Sequence, residues 1–178
     1  MKKKSYPLSK VYGLLETGPV VLVSTAYKKR SNIMTMSWHT MLEFEPPLVG
    51  CVISNRNRTF DILRKTGECV INIPTVELTE KVVACGNTHG DKVDKFKTYT
   101  LTPRSARMVA SPLIDECYAN LECRVADRRM IRAYNLFILE VLKAWIKPTG
   151  NIPKTIHHHG RGNFSVAGKI IAFPSKMK

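Results

Sequence analysis

The chain has 178 residues and carries 28 Lys+Arg against 14 Asp+Glu, a formal net charge of +14. That length suits one domain with a core large enough to need no disulfide or metal staples. At 44% hydrophobic it is a globular chain rather than a disordered one. No run of about 18 apolar residues offers a membrane span, and Met1–Pro7 lacks the apolar stretch of a secretory signal. Cys51, Cys69, Cys85, Cys117 and Cys123 are odd in number, widely spaced and free of any CxxC. This argues against a disulfide framework and a zinc ribbon, and the expectation is a cytoplasmic protein with reduced thiols. Residues 1–30 hold seven Lys/Arg and one acid, residues 141–178 seven and none, and residues 31–140 fourteen and thirteen. The excess therefore sits at the two ends. A basic surface attracts polyanions, phosphorylated ligands and acidic proteins, and it also keeps a protein in solution.

In chain order, Gly18-Pro19 precedes the β-branched run Val20–Ala26, which predicts a buried strand. Lys28–Asn32 is a polar turn, and Ile33–Met41 predicts a second strand closing a hairpin. Glu45-Pro46-Pro47 interrupts regular structure, and Leu48–Ser54 predicts a third strand. Thr59–Gly67 predicts a short helix with Thr59 as N-cap and Gly67 as its stop. Cys69–Pro74 is a fourth strand, and Thr79–Cys85 a second helix capped by Thr75 or Thr79. Residues 87–112 form a long polar loop, of a kind that is often functional. Cys117–Val125 alternates apolar and polar groups as a half-buried antiparallel strand does. Leu136–Ile146 adds another strand, and Lys169–Phe173 a last one. Strand–helix–strand repetition with a Gly-rich phosphate turn is missing, so a doubly wound nucleotide fold is disfavoured. The fold class expected is mainly β, an antiparallel barrel with a few short helices over its openings.

Two polar clusters stand out. Asn32-Ile33-Met34-Thr35-Met36-Ser37-Trp38-His39-Thr40 places Ile33, Thr35, Ser37 and His39 on one side of a strand and Met34, Met36, Trp38 and Thr40 on the other. Its small hydroxyl residues permit close approach of a ligand, and Trp38 can pack against a ring. A Ser/Thr-rich strand with a Met/Trp core face explains the same residues. Ser54–Asp61 joins a strand to a helix start, where backbone donors with Arg56 or Arg58 suit a phosphate; a solvated turn with a capping threonine is the plainer alternative. Lys95 could reach the same anion or lie on the surface. Cys51 sits in an apolar strand, where a buried inert thiol is the default. His157–His159 cannot easily converge on one ion, so no metal is expected. No Ser–His–Asp order or carboxylate pair supports hydrolysis.

The stretch Asn32–Pro74 resembles the flavin reductase-like family, especially its flavoredoxin branch. The matching residues are Asn32-x-Met34-Thr35-x-Ser37-Trp38, Glu45-Pro46-Pro47-Leu48-Val49, Ser54-x-x-x-Arg58-Thr59-x-x-x-Leu63 and Gly67-x-x-Val70-x-Asn72-Ile73-Pro74. Asp94-Lys95-Phe96, Asn120–Cys123 and Leu136–Val141 also look alike. The resemblance implies one domain over residues 1–178 with basic extensions at its ends. It implies a split β-barrel of Greek-key type that binds FMN as a homodimer, with FMN near the subunit interface. By resemblance, Asn32, Met34, Thr35, Ser37 and Trp38 line the isoalloxazine and ribityl region. Cys51, Val52 and Ser54 pass beside the cofactor, and Arg58, Thr59 and Lys95 hold its phosphate. Tyr134 stands where members of the branch often carry a histidine, and it is a poor proton carrier near neutral pH. The activity implied is an oxidoreductase that passes electrons from NAD(P)H or a small reduced redox protein through FMN to an acceptor. Flavin carries that chemistry, so no catalytic side chain is expected. A non-enzymatic FMN carrier would share the site. A nucleic-acid-binding barrel fits the charge but not the scarcity of aromatics among basic strand residues.

Overall fold

The structure is a computed structural model that describes residues 2–15, 17–148, 151 and 153–174. The chain opens with β1 (Lys4–Tyr6) and the short α1 (Tyr12–Leu15). Two hairpins follow, β2 (Val21–Tyr27) with β3 (Arg30–Met36), and β4 (His39–Phe44) with β5 (Pro47–Val52). Then come α2 (Arg58–Thr66), β6 (Glu68–Ile73), α3 (Thr79–Asn87), α4 (Lys95–Thr98), β7 (Pro103–Arg104) and β8 (Leu113–Ile114). The remainder is β9 (Ala119–Asp127), α5 (Ile131–Tyr134), β10 (Leu136–Ile146), β11 (Ile156–Gly160) and β12 (Asn163–Val166). One antiparallel sheet runs in the order β3-β2-β6-β9-β10-β5-β4, with β1 added on β10.

The unbroken apolar run of β2 has a physical reason: both of its faces are buried. Val21 and Val23 belong to the core inside the curved sheet, with Leu63, Ile71, Leu121 and Phe137. Val20 and Leu22 face the second core, with Ile33, Val82, Phe96 and Ile156. Within β3 the expected alternation holds. Met34 and Met36 turn to the first core and Ile33 to the second.

Five expectations are corrected. The strand read through Ile33–Met41 breaks at Ser37-Trp38. The Trp38 carbonyl accepts from Val52 N–H at 3.0 Å, and His39–Phe44 crosses to the far end of the sheet to pair with β5. The His39 ring is tied to the Pro19 carbonyl at 2.7 Å, and burial lowers its pKa, so it is a neutral structural group. The helix beginning near Thr59 starts one residue earlier, with Asn57 in the cap position and Thr59 in the first turn; Gly67 does end it, at φ +73°. For the second helix, Leu78 holds the cap position without a side-chain bond, and Thr79 is its first residue. Among the described residues Lys169–Phe173 forms no strand, and the last strands are β11 and β12.

The fifth correction concerns β9, whose polar face is buried at Asn120 and Glu122 and wet only at Arg124 and beyond. Asn120 and Glu122 are both 0% exposed, because residues 101–115 cover them. Glu122 accepts from the N–H groups of Arg107 (3.0 Å) and Met108 (2.5 Å) and from Trp145 Nε1 (2.7 Å). Asn120 donates to Asn72 Oδ1 at 2.7 Å, and Asn72 donates to Ser24 Oγ at 3.0 Å. Lys3 reaches into this layer and donates to Asn120 Oδ1 (2.5 Å) and the Ile114 carbonyl (3.0 Å). Burial pulls the Lys3 pKa down to about 8 from 10.5, partly offset by the Asp115 carboxylate 3.9 Å away. The unfolded chain therefore binds more protons than the folded one between these values, so this group adds stability as pH rises through that window. Lys3→Met is expected to remove that increment. Urea unfolding of both proteins at pH 7.5 and 9.5 checks it: a difference between them that does not change with pH would refute the assignment.

Candidate functional site

The sheet brings β3, the turn before α2, the end of α3 and the start of α4 to one place. Asn32, Met34, Thr35, Arg58, Thr59 and Lys95 line a chamber of about 80 Å³, together with Gly86 and Gly90. Thr59 is fully buried, and its hydroxyl accepts from Asn32 Nδ2 at 2.9 Å. This links the two polar clusters of the sequence directly. Asn32 Oδ1 is buried without a hydrogen-bond partner. A Cβ on Gly90 would lie 2.0 Å from that oxygen, so only glycine lets the 88–91 turn close over it.

Lys95 is buried rather than on the surface; its ammonium donates to the carbonyls of Ile33 (2.7 Å) and Cys85 (2.6 Å). An ammonium has three protons, so one remains for a ligand. Burial lowers the pKa of Lys95 and pushes the Cys85 thiol up to about 11, each partly offset by the other. Arg58 Nε pairs with Asp91 Oδ1 at 3.2 Å, and His89 Nδ1 lies 3.3 Å from the other oxygen. The first-turn N–H groups of α2 have no intrahelical acceptor and carry the positive end of its dipole. The chamber is thus rich in donors, with one carboxylate at its rim.

Thr35 and Gly86 also border a second groove of about 280 Å³, lined by Ser37, Val82, His158 and Phe164. The two spaces adjoin along β3. The Thr35 hydroxyl donates to the Val82 carbonyl at 2.6 Å, which leaves its lone pairs for a ligand. Gly86, Gly90, His158 and Phe164 were not among the expected site residues. Paired glycines near a polar turn were the one available signal; nothing local tells that the C-terminal hairpin folds back beside Ser37.

Cys51, Val52, Ser54, Trp38 and Tyr134 line neither space. Cys51 is 1% exposed inside the first core, and burial raises its pKa well above the ordinary thiol value. Val52 pairs with Leu136 across β5 and β10. Ser54 accepts from Asn57 N–H at 2.9 Å through its carbonyl and from Arg56 N–H at 3.3 Å through its hydroxyl, shaping the turn before α2. Trp38 and Tyr134 are 72% and 65% exposed.

A mainly β fold with one large antiparallel sheet, two small two-stranded sheets, short helices at the margins and a donor-lined chamber beside a helix start is that of a split barrel. Residues 15–164 match the Flavin reductase like domain, and the chain belongs to that family. An uncharacterized protein of Archaeoglobus fulgidus is 36% identical over 114 residues, 64% of this chain and 64% of that protein's length. The FMN-binding domain of a flavin reductase-like enzyme from Shewanella baltica superposes with a TM-score of 0.90 at 25% identity, covering 97% of this chain and 98% of that one. Flavoredoxin of Desulfovibrio vulgaris gives 0.80 at 20% identity, over 89% and 91% of the two chains, and shows likeness of fold.

Proposed function

We propose that this chain is a single FMN-binding domain over residues 1–178 and a flavin-dependent oxidoreductase. It takes electrons from NAD(P)H or a small reduced redox protein and passes them to an acceptor. One observation carries the reading: Asn32, Thr35, Arg58, Thr59 and Lys95, from separate segments, share one chamber. The donor set suits a phosphate dianion, and the unpartnered Asn32 Oδ1 suits a ribityl hydroxyl, which can donate to it. Arg58, Thr59 and Lys95 hold the phosphate, Asn32 and Thr35 the ribityl chain. Ser37, His158 and Phe164 border the space for the ring. Bound FMN supplies two-electron and one-electron redox chemistry; the protein supplies position and charge. The flavin-binding domain name of the Shewanella relative supports the same cofactor.

The visible spectrum of the purified protein, with and without added FMN, tests this. Flavin bands or saturable binding are expected, and neither appearing would sink the reading. Steady NADH or NADPH oxidation with an added acceptor separates an enzyme from an FMN carrier.

A homodimer belongs to the same proposal. Trp38, Leu42 and Phe44 are exposed along the edge strand β4 and the turn before it, and Ile170, Ile171 and Phe173 are exposed on the tail. Apolar groups of this size in water mark a contact surface. Sedimentation is expected to give twice the chain mass, with Trp38→Ser plus Phe44→Ser shifting it toward the monomer. A monomeric parent protein would refute it. Among the described residues no helix is long and apolar enough to cross a membrane. Five free buried thiols support a reducing, cytoplasmic setting.

A further inference from the structure

The segment after β12 leaves the domain with little to rest on. Ala167 N–H donates to the Thr155 carbonyl at 2.8 Å, and among the described residues no hydrogen bond or ion pair holds 168–174. A Cβ on Gly168 would meet nothing within 4 Å, so the chain there stands clear of the surface. Ile170, Ile171 and Phe173 are 56%, 68% and 77% exposed. A β-branched pair followed by an aromatic has strand chemistry, yet the run forms no strand in the single chain. Extended backbone puts Lys169, Ile171 and Phe173 on one side. At about 3.3 Å per residue it carries Phe173 about 23 Å from Val166.

The same molecule holds a groove with the matching lack. Between α1 and β4 lies a space of about 420 Å³ walled by Tyr12, Leu15, Met41, Leu42 and Phe44. Phe44 stands edge-on to the Tyr12 ring at 5.0 Å, and β4 is the end strand of the sheet. Glu43 lines the groove and Glu45 is exposed just past β4; among the described residues neither forms an ion pair. Glu43 Oε1 accepts from Phe44 N–H at 2.7 Å, which leaves its other oxygen for a cation. Charge singles this groove out. The space between residues 29–31 and 90–94, and the one between α2 and α5, each carry more cations than acids and repel a lysine-bearing segment. The α1–β4 groove carries Glu43 and no lysine or arginine. The chain's own tail does not fill it, since all three tail side chains stand in water.

We infer that the tail of one copy seats Ile171 and Phe173 in the α1–β4 groove of a second copy, with Lys169 beside Glu43, and that the exchange is mutual. The inference deepens the proposed homodimer and rests on it. Two-fold symmetry closes such an exchange at two chains. The exchange also reaches the candidate flavin site. The tail continues from β12, and His158 and Phe164 of the β11–β12 hairpin border the ring space. A tail held by the partner fixes that hairpin and couples dimerisation to flavin binding, each strengthening the other by the same factor.

The test is sedimentation of the full chain beside a chain ending at Gly168, with FMN titrated into both. The truncated chain is expected to associate about 10-fold or more weakly than the parent dimer. Phe173→Asp repeats the loss at a side chain exposed in the single chain, so misfolding is not its cause. Lys169→Glu weakens the dimer about 3-fold, and adding Glu43→Lys restores it; a charge swap that restores nothing overturns that contact. Leu42→Cys with Phe173→Cys in one chain is expected to give a covalent dimer on mild oxidation, the native thiols being buried. A disulfide closed within one chain, or a dimer indifferent to truncation and to Phe173→Asp, overturns the inference and spares the dimer. A monomeric parent is the failure of the dimer reading itself and takes the inference with it. The truncated chain should bind FMN about 3-fold more weakly. Equal FMN affinity overturns the coupling to the ring space, and a parent that binds no FMN is the separate failure of the flavin reading.

Discussion

Glu122→Ala is expected to lower folding stability by about 3–5 kcal/mol, since each buried donor left without an acceptor costs about 1–3 kcal/mol and some recover water. The carboxylate is fully buried and is the acceptor for the Arg107 and Met108 N–H groups and the Trp145 indole. Those contacts hold residues 101–115 over the polar face of β9. Without them the segment loses its anchor, and the Asn72–Asn120 layer beneath it opens to water. Trp145 reports the event, because Arg107 and Lys143 lie against its ring at 5.4 and 4.8 Å while its N–H is bound. Urea unfolding should show a lower midpoint, and native fluorescence should shift to the red. Glu122→Gln should fall between, since its amide keeps one acceptor and brings a donor where donors already converge. An unchanged midpoint in Glu122→Ala would mean that the loop is held by something else.

Arg58→Ala combined with Thr59→Val is expected to weaken FMN about 100-fold, or ~3 kcal/mol, from two lost phosphate contacts of about 1.5 kcal/mol or more each. Arg58 should contribute less alone than in combination. Its guanidinium already shares Asp91, and a phosphate must compete with that carboxylate. Thr59→Val also strips the acceptor from Asn32 Nδ2, so it disturbs the ribityl end as well as the phosphate end. Lys95 is the less clean target, because its ammonium ties β3 to the end of α3 and its removal mixes folding with binding. FMN titration followed by flavin fluorescence checks the pair, with the thermal midpoint of the apo-protein as control. Equal affinity in variant and parent would remove both residues from the site.

The extent to which the sequence foretold this structure differs by element. The strands at Val21–Tyr27, Glu68–Ile73 and Leu136–Ile146 were legible because apolar runs between turn residues leave little choice. Helix α2 was legible from Gly67 at its end, but its start was misread: Thr59 has a capping residue's chemistry and uses it on Asn32 instead. The break at Ser37-Trp38 was invisible because the polar alternation runs straight through it, and only the distant Val52 and Pro19 partners reveal it. The polar face of β9 read as solvent-facing because periodicity cannot tell water from a covering loop that supplies its own N–H groups. Of the expected site residues, the chamber gathers Asn32, Met34, Thr35, Arg58, Thr59 and Lys95. Lysine 95 was hard to place for a general reason: burial of a lone lysine depends on carbonyls from Ile33 and Cys85, far apart in sequence.

All five thiols are buried, and burial pushes Cys117 up to about 12 and Cys85 to about 11. Thiolate is the reactive form, so these sulfurs react with alkylating agents only when the segment around them opens. They form a set of internal clocks spread over the two cores. Cys51, Cys69 and Cys123 time the opening of the sheet interior, and Cys85 and Cys117 that of the layer under α3 and the C-terminal hairpin. Mass-resolved labelling over time would rank those openings in a single experiment. It would also show which of them FMN slows.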